Sequence, residues 1–516
     1  MILRDAFPEV GFGTSGVRAR VVDLSADVVS AYARSFAQHL AGAGAAASCV
    51  VGWDLRPSSP AIAAAVCAGL EVEGLTPALV GPLPTPAVAL AGFTQGLPSV
   101  MVTGSHIPFD RNGIKFFTAG GEILKDDEAG IGARDVAALR TGGEALAAAV
   151  ARWLEVTASV ALAGHDGHAS TDHPSDRHSS GVRAAGVAAT GVAAADAARA
   201  YLARYQGLVP GGVLAGLRVG VYQHSGVGRD LLVTLLERLG SAVVPLARSD
   251  AFVAIDTEAV SAEDEARAAA WCSEHALDAV VSTDGDGDRP WLADERGRFV
   301  PGDVLGPLVA AWLGVRHVVT PLSSNSVAER SGWFDEVVRT RIGSPFVIAA
   351  MQELAQRAAP VAGYEANGGF LLQTPLRRSG WTLGPLPTRD AALPIVAVLA
   401  QRAESNLPVS RLRERLPARF TASGRLQDID RARAVTLLSE LQRCAEGFLT
   451  PLQRVLDRID TTDGVRLMLR GDDVIHVRLS GNAPELRCYV EGASAEVATR
   501  LRDAVLERVA QLLAGP

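Results

Sequence analysis

The sequence predicts an α/β protein of several domains, and three observations lead there. Its 516 residues exceed what one hydrophobic core serves, because chains beyond roughly 250–300 residues divide into domains. Up to Leu416, apolar β-rich runs alternate with Ala-rich helical ones, the rhythm of helices layered on sheets. After Leu416 the composition shifts towards Arg, Asp and Glu, which marks a separate α+β domain. With 48% hydrophobic and 21% charged residues, the chain has the balance of an ordinary folded protein. A net charge of −8 without a long basic run offers no electrostatic footprint for nucleic acid or an anionic membrane surface, so neither partner is expected. The apolar stretches 304–315 and 391–400 fall short of a membrane span or carry Gly and Pro, and read as buried core.

Taken in order, Ser48 to Gly52, Ser59 to Glu73 and Pro98 to Val102 read as strand, helix and strand of a first unit. From Ala163 to Ala195 the pattern dissolves into Gly, Ala and Ser with His165, His168, His173 and His178, whose spacing fits no metal-ligand pattern. This stretch reads as a solvated insertion. Order resumes near Asp196, and Leu217 to Val221, Gly226, Gly228 and an apolar helix through Leu239 repeat the strand-turn-helix theme, which returns at His317 to Thr320. The last part carries strands Val474 to Leu479 and Leu486 to Glu491 and a helix near Ala495 to Leu513. The expected divisions are 1–155 (α/β), 156–195 (insertion and linker), 196–300 (α/β), 301–418 (α/β) and 419–516 (α+β). Cys49, Cys67, Cys272, Cys444 and Cys488 lie far apart with no C-x-x-C pair, and the N-terminus shows no signal-like apolar stretch; reduced thiols in a cytoplasmic protein are expected.

Four segments carry candidate chemistry. Thr103-Gly104-Ser105-His106-Ile107-Pro108 follows the first unit's second strand and precedes Asn112-Gly113-Ile114-Lys115, so Ser105 sits in a turn able to project its hydroxyl into a cleft. A bare hydroxyl is a poor nucleophile and needs a base or prior phosphorylation. Thr103 and Ile107 stand where a serine-hydrolase elbow needs glycines, which disfavours that class. Asp284-Gly285-Asp286-Gly287-Asp288-Arg289 follows the apolar run 279–282 and spaces three carboxylates with glycines, so that all three can converge on one hard cation. Three such charges buried without a cation would be costly. A helix-loop-helix calcium site is disfavoured: Glu295 falls at its twelfth position, but Arg289 holds the sixth and a strand leads in. In Gly363-Tyr364-Glu365-Ala366-Asn367-Gly368-Gly369, Glu365 and Asn367 suit hydrogen bonds to vicinal sugar hydroxyls. Arg478-Leu479-Ser480-Gly481-Asn482-Ala483-Pro484, followed by Arg487, can cradle a phosphate. Taken singly, each segment also reads as an ordinary turn or solvated face.

Together and in this order, the four segments resemble the α-D-phosphohexomutase family, which includes phosphomannomutase, phosphoglucomutase and phosphoglucosamine mutase. Phe12 to Arg18, Gly52-Trp53-Asp54-Leu55-Arg56 and Pro84-Thr85-Pro86 add to the likeness, which spans the chain except its histidine-rich stretch. The resemblance implies a four-domain phosphohexomutase architecture, three similar α/β domains plus a C-terminal α+β domain around a central cleft. It implies that Ser105 is phosphorylated at rest, that one Mg²⁺ per chain is held by Asp284, Asp286, Asp288 and the seryl phosphate on Ser105, and that a hexose 1,6-bisphosphate is intermediate and activator. Lys115 is implied as general base and acid, with its pKa lowered by neighbouring cations. Arg18, Thr14, His106 and Arg289 are implied to orient the phosphoserine, Glu365 and Asn367 to hold ring hydroxyls, and Arg478, Ser480, Gly481, Asn482 and Arg487 to hold the distal phosphate. The expected protein is an isomerase interconverting hexose 6-phosphate and hexose 1-phosphate, of mannose and/or glucose, as a cytoplasmic monomer or dimer.

The sequence departs from the family pattern in places. Asn367 replaces a serine and Gly369 a frequent histidine, so a second acid/base histidine is missing; Asn482 and Ala483 replace threonine and glutamate. Thr340 to Ser344 approximates another family turn, with Ser344 after the glycine where some members place a charged residue. The absent Glu-Gln-Ser-Gly loop favours phosphomannomutase/phosphoglucomutase over phosphoglucosamine mutase. A non-catalytic sugar-phosphate-binding protein and a phosphatase are the remaining alternatives, and the intact Ser105, aspartates and Lys115 speak against lost turnover.

Overall fold

The computed structural model describes residues 1–13, 16–42, 46–140, 142–166, 194–258, 260–378, 380–480 and 485–514. Thr14, Gly481, Asn482, His168, His173 and His178 lie outside the described residues, whereas His165 falls in the last turn of helix Gly143–Asp166.

Three sheets in series repeat one strand order. In the first, Thr76–Pro82, Ser48–Trp53 and Ser99–Val102 run parallel side by side, and Arg111–Thr118 joins antiparallel to the last. The second places Ala242–Arg248, Arg218–His224, Ala279–Thr283 and antiparallel Pro290–Ala293 in the same succession. The third does so with Glu336–Thr340, His317–Pro321, Val361–Tyr364 and Phe370–Leu372. Parallel neighbours require crossovers, supplied by helices such as Ser59–Val72, Arg229–Arg238 and Ser344–Leu354. The step from third to fourth strand is a hairpin instead. It leaves a short loop at the carboxyl end of each third strand, the end where open α/β sheets bind ligands. Those loops are 103–110, 284–289 and 365–369.

Gly11–Phe12 and Val17–Arg20 extend the first sheet, setting Arg18 opposite Gly113, and Leu386–Asp390 extends the third beside Phe370–Leu372. The C-terminal sheet is antiparallel throughout, in the order Phe420–Leu426, Leu486–Gly492, Val474–Leu479, Val465–Leu469, Leu456–Asp460. Helices Arg431–Arg443 and Ala495–Ala514 bury its apolar face. Local signals account for element ends: Ser261 caps Ala262–His275 by accepting from the Asp264 amide at 3.1 Å. Glu263, Asp264 and Glu265 fill that helix's first turn and His275 its last, matching the helix dipole.

One apolar cluster runs from Val50 and Val80 through Val219 and Val281 to Val318 and Ala362, so the first three sheets share a continuous core, whereas the C-terminal sheet has its own. Helix Gly143–Asp166 continues through residues that the sequence pattern assigns to the insertion and linker. Its Ala-rich turns favour helix, and Trp153 and Val160 pack on the first domain, which holds it in register. The apolar runs near 304–315 and 391–400 form buried helices, and among the described residues no helix is long and apolar enough to cross a membrane. All five cysteines are unpaired, four of them buried and Cys444 exposed.

Candidate functional site

The serine loop is held from beneath by two side chains of the neighbouring strand end. Asp54 accepts from Thr103 Oγ1 at 2.8 Å and the Gly104 amide at 3.2 Å. Arg56, 2% exposed, donates to the carbonyls of Ser105 (2.8 Å), Ile107 (2.5 Å), Pro108 (2.8 Å) and Arg111 (3.0 Å). Gathering four carbonyls on one guanidinium curls the loop, and the Ser105 amide donates to Thr103 Oγ1 at 2.7 Å. Ser105 thereby takes φ +50°, a left-handed conformation that a non-glycine residue adopts only when its surroundings impose it.

The three aspartates converge as their spacing predicts. All are fully buried, with ligand oxygens within 4.8 Å of one another. Asp284 Oδ1 accepts from the amides of Asp288 and Arg289, each at 3.2 Å, which closes the loop, while its Oδ2 accepts from Ser105 Oγ at 2.6 Å. Gly287 turns this loop at φ +72°, and a Cβ there would lie 2.9 Å from Pro84. Lys115 Nζ donates to Asp286 Oδ2 and Asp288 Oδ2, both at 2.6 Å. Asp286 Oδ1 and Asp288 Oδ1 are buried with no hydrogen-bond partner. Buried carboxylate oxygens that accept no hydrogen bond, beside a serine hydroxyl, are the donor set a hard divalent cation takes, so the residues fit one.

Charge sets the protonation states. Burial raises Asp284 well above the carboxylate range, helped by Asp286 and Asp288. For Asp288 burial pulls upward too, but Arg389, Lys115 and Arg289 outweigh it and hold it low. Arg289 drives the His106 pKa down to about 2, with burial adding to the effect. Arg289 Nη1 donates to His106 Nδ1 at 3.0 Å, and that nitrogen also lies 3.4 Å from Ser105 Oγ. Arg18 falls to about 10 through burial and then through the like charges of Arg289 and Arg389. Lys115 corrects an expectation: burial pulls its pKa down, yet the Asp286 and Asp288 carboxylates outweigh burial, and the net shift is upward. The neighbours that dominate it are anions, not the cations the sequence reading supposed.

The sugar-type loop abuts this cluster. Glu365, 4% exposed, accepts from Arg389 Nη1 at 3.1 Å, and Asn367 Oδ1 accepts from the Gly369 amide at 2.9 Å. Thr257 Oγ1 donates to the Asn367 carbonyl at 2.9 Å, clipping the second domain to the third. In the C-terminal sheet Arg478 and Arg487 stand directly opposite on paired strands, a repulsive placement unless counter-charged. Asp463 lies 3.2 Å from Arg478 Nε and Glu485 Oε1 2.7 Å from Arg487 Nη2. The Ser480 amide donates to the Glu485 carbonyl at 2.9 Å.

Several members of this cluster escaped the sequence reading. Asp54, Arg56 and Thr85 lie in motifs singled out there but given no role; Thr85 Oγ1 donates to Asp286 Oδ2 at 2.5 Å and its amide to the Asp286 carbonyl at 2.8 Å. Arg389 had no motif at all. Its one signal is an Arg-Asp pair inside Leu386–Asp390, a strand whose five residues are all buried. Its side chain occupies the space over Gly369.

Four models of the phosphoglucomutase/phosphomannomutase family match the chain: α/β/α domain I over residues 9–137, domain II over 212–297, domain III over 302–420 and the C-terminal domain over 406–508. A phosphomannomutase of Salmonella muenchen is 39% identical over 503 residues, which cover 97% of this chain and 95% of the relative. One of Sinorhizobium fredii is 41% identical over 501 residues, covering 95% and 96%. A phosphoglucomutase/phosphomannomutase family protein of Burkholderia thailandensis, 20% identical, shares the fold with a TM-score of 0.70 over 97% of this chain and 98% of that one. The chain belongs to the phosphoglucomutase/phosphomannomutase family of α-D-phosphohexomutases. It is accordingly a phosphomutase, an isomerase with that family's four-domain architecture.

Proposed function

We propose that this protein moves a phosphoryl group between the C1 and C6 oxygens of a hexose phosphate, mannose or glucose, by way of phosphorylated Ser105. The observation that carries the reading is the 2.6 Å contact between Ser105 Oγ and Asp284 Oδ2, two loops 179 residues apart in sequence. A nucleophile of this kind is useful only beside charge that offsets a leaving phosphoryl group.

In this reading Asp284, Asp286, Asp288 and the seryl phosphate hold one Mg²⁺ per chain, which supplies positive charge at the phosphoryl group. The sugar hydroxyl attacks phosphorus and the bond from Ser105 Oγ to phosphorus breaks, so the hydroxyl proton ends on Ser105 Oγ; Lys115 relays it, and because Asp286 and Asp288 hold it as an ammonium it gives up one proton as it takes the next. The resulting bisphosphate turns over and returns its other phosphoryl group to Ser105. Arg18, Arg289 and His106 orient the seryl phosphate; the like charges crowded around Arg18 favour an anion there. Glu365 and the Asn367 amide hold ring hydroxyls, and Arg478, Ser480, Gly481, Asn482 and Arg487 hold whichever phosphate is distal.

A coupled assay with Mg²⁺ and the 1-phosphates of mannose, glucose and glucosamine tests this. Turnover of the first two with poor use of glucosamine 1-phosphate is expected. Steady release of inorganic phosphate would point to a phosphatase instead. We also propose the domain divisions at 300/301 and 418/419, with the first domain extended through the helix ending at Asp166, and a cytoplasmic monomer or dimer.

A further inference from the structure

Arg389 touches both halves of the site at once. Its Nε donates to Asp288 Oδ2 at 3.0 Å, and its Nη2 lies 3.0 Å from the same oxygen. Its Nη1 donates to Glu365 Oε2 at 3.1 Å. One planar guanidinium, 2% exposed, therefore joins a carboxylate of the aspartate loop to the carboxylate of the 365–369 loop. The strand beneath it is anchored: the adjacent Asp390 accepts from the hydroxyls of Tyr201 at 2.8 Å and Tyr205 at 2.5 Å and from the Ala392 amide at 3.1 Å. Its stem crosses Gly369 so closely that a Cβ there would lie 2.6 Å from Arg389 Cδ. The same backbone holds the sugar loop shut, since the Glu365 amide donates to the Gly369 carbonyl at 3.1 Å.

We infer that Arg389 is a positioning residue that couples the two loops, so that a cation on Asp288 and a sugar hydroxyl on Glu365 each favour binding of the other. The inference rests on the functional reading above, which places a cation at Asp288 and a sugar at Glu365. Both carboxylates already share this one guanidinium, so a ligand that draws charge from either of them changes how strongly the guanidinium holds the other, and the second ligand meets a carboxylate already shifted by the first. Linkage makes the effect reciprocal. A lysine preserves the charge but not the planar fork that reaches two carboxylates together.

The test uses full-length Ser105→Ala protein, which cannot form the seryl phosphate. Glucose 1-phosphate is titrated calorimetrically without and with saturating Mg²⁺, and Mg²⁺ without and with the sugar phosphate. In this parent Mg²⁺ should tighten sugar-phosphate binding by about fivefold or more. Adding Arg389→Gln or Arg389→Lys should bring that ratio close to one. Gly369→Ala, which keeps Arg389 and only crowds its stem, should lower the ratio as well, with circular dichroism and thermal unfolding showing the fold intact. A merely structural role would weaken both titrations alike and preserve the ratio. A ratio unchanged in the Arg389 variants, or a ratio of one in the parent, overturns the inference while leaving the mutase reading in place. A parent that binds no hexose phosphate overturns both.

Discussion

Ser105 Oγ and Asp284 Oδ2 meet at 2.6 Å across the junction of the first two domains, with Ser105 1% exposed and Asp284 fully buried. Neither loop can supply this contact alone. Ser105→Ala is therefore expected to abolish mutase activity and, without Mg²⁺, to cost about 1–3 kcal/mol of stability, because it removes the hydrogen bond that buried Asp284 Oδ2 accepts. Intact-mass spectrometry should find one phosphoryl group on the wild-type protein and none on the variant. Residual turnover in Ser105→Ala at the wild-type rate would falsify the covalent route.

The orphaned oxygens of Asp286 and Asp288 lead to a second expectation. Mg²⁺ should raise the thermal unfolding midpoint, since a ligand that binds only the folded state at about a hundred times its Kd adds roughly 2.7 kcal/mol. Chelation should reverse the shift and stop turnover. In Asp288→Asn the shift should shrink sharply; an undiminished shift would place the cation elsewhere.

Thr85 links the start of helix Thr85–Phe93 to the aspartate loop through Asp286 Oδ2. Thr85→Val keeps the shape but removes the donor, leaving a buried carboxylate with one partner fewer. Urea unfolding without Mg²⁺ should show a loss of about 1–3 kcal/mol. No loss would mean that Lys115 alone satisfies that oxygen.

His476 offers a pH test away from the catalytic cluster. It is buried, its Nε2 lies 2.6 Å from the Asp463 carbonyl, and its Nδ1 has no partner. Burial brings its pKa down to about 4 against the opposing pull of Asp463, with Arg466 and Arg478 adding to the downward shift. The unfolded chain, with an ordinary pKa of 6.5, binds one more proton between those values. The contribution of His476 to stability is thus complete above about pH 6.5 and falls as pH drops towards 4. His476→Gln should flatten the fall in urea midpoint between pH 7 and 5 relative to wild type. Parallel pH profiles would contradict a neutral His476.

Much of the site was legible in the chain because its parts are local. The serine turn and the alternating aspartates are short loops after apolar strands, and spacing alone shows what such loops can do. Lys115 could be picked out but not its electrostatics, since Asp286 and Asp288 lie 171 and 173 residues away. Arg389 was invisible for the same reason: Asp288 is 101 residues distant, and only the pairing of Phe370 with Asp390 brings that strand beside the sugar loop. The helix through Asp166 was cut short because a Gly- and Ala-rich run suggests loop until a packed face overrides it.

By itself the sequence determined the alternation of strands and helices and the short loops that carry Ser105 and the three aspartates, because periodicity and turn chemistry act over a few residues. Tertiary structure decided which loops meet, that Asp286 and Asp288 hold Lys115, and that Arg389 ties the aspartate loop to the 365–369 loop. Those are long-range Coulomb and packing effects, set by strand order within each sheet and by the continuous core beneath three of them.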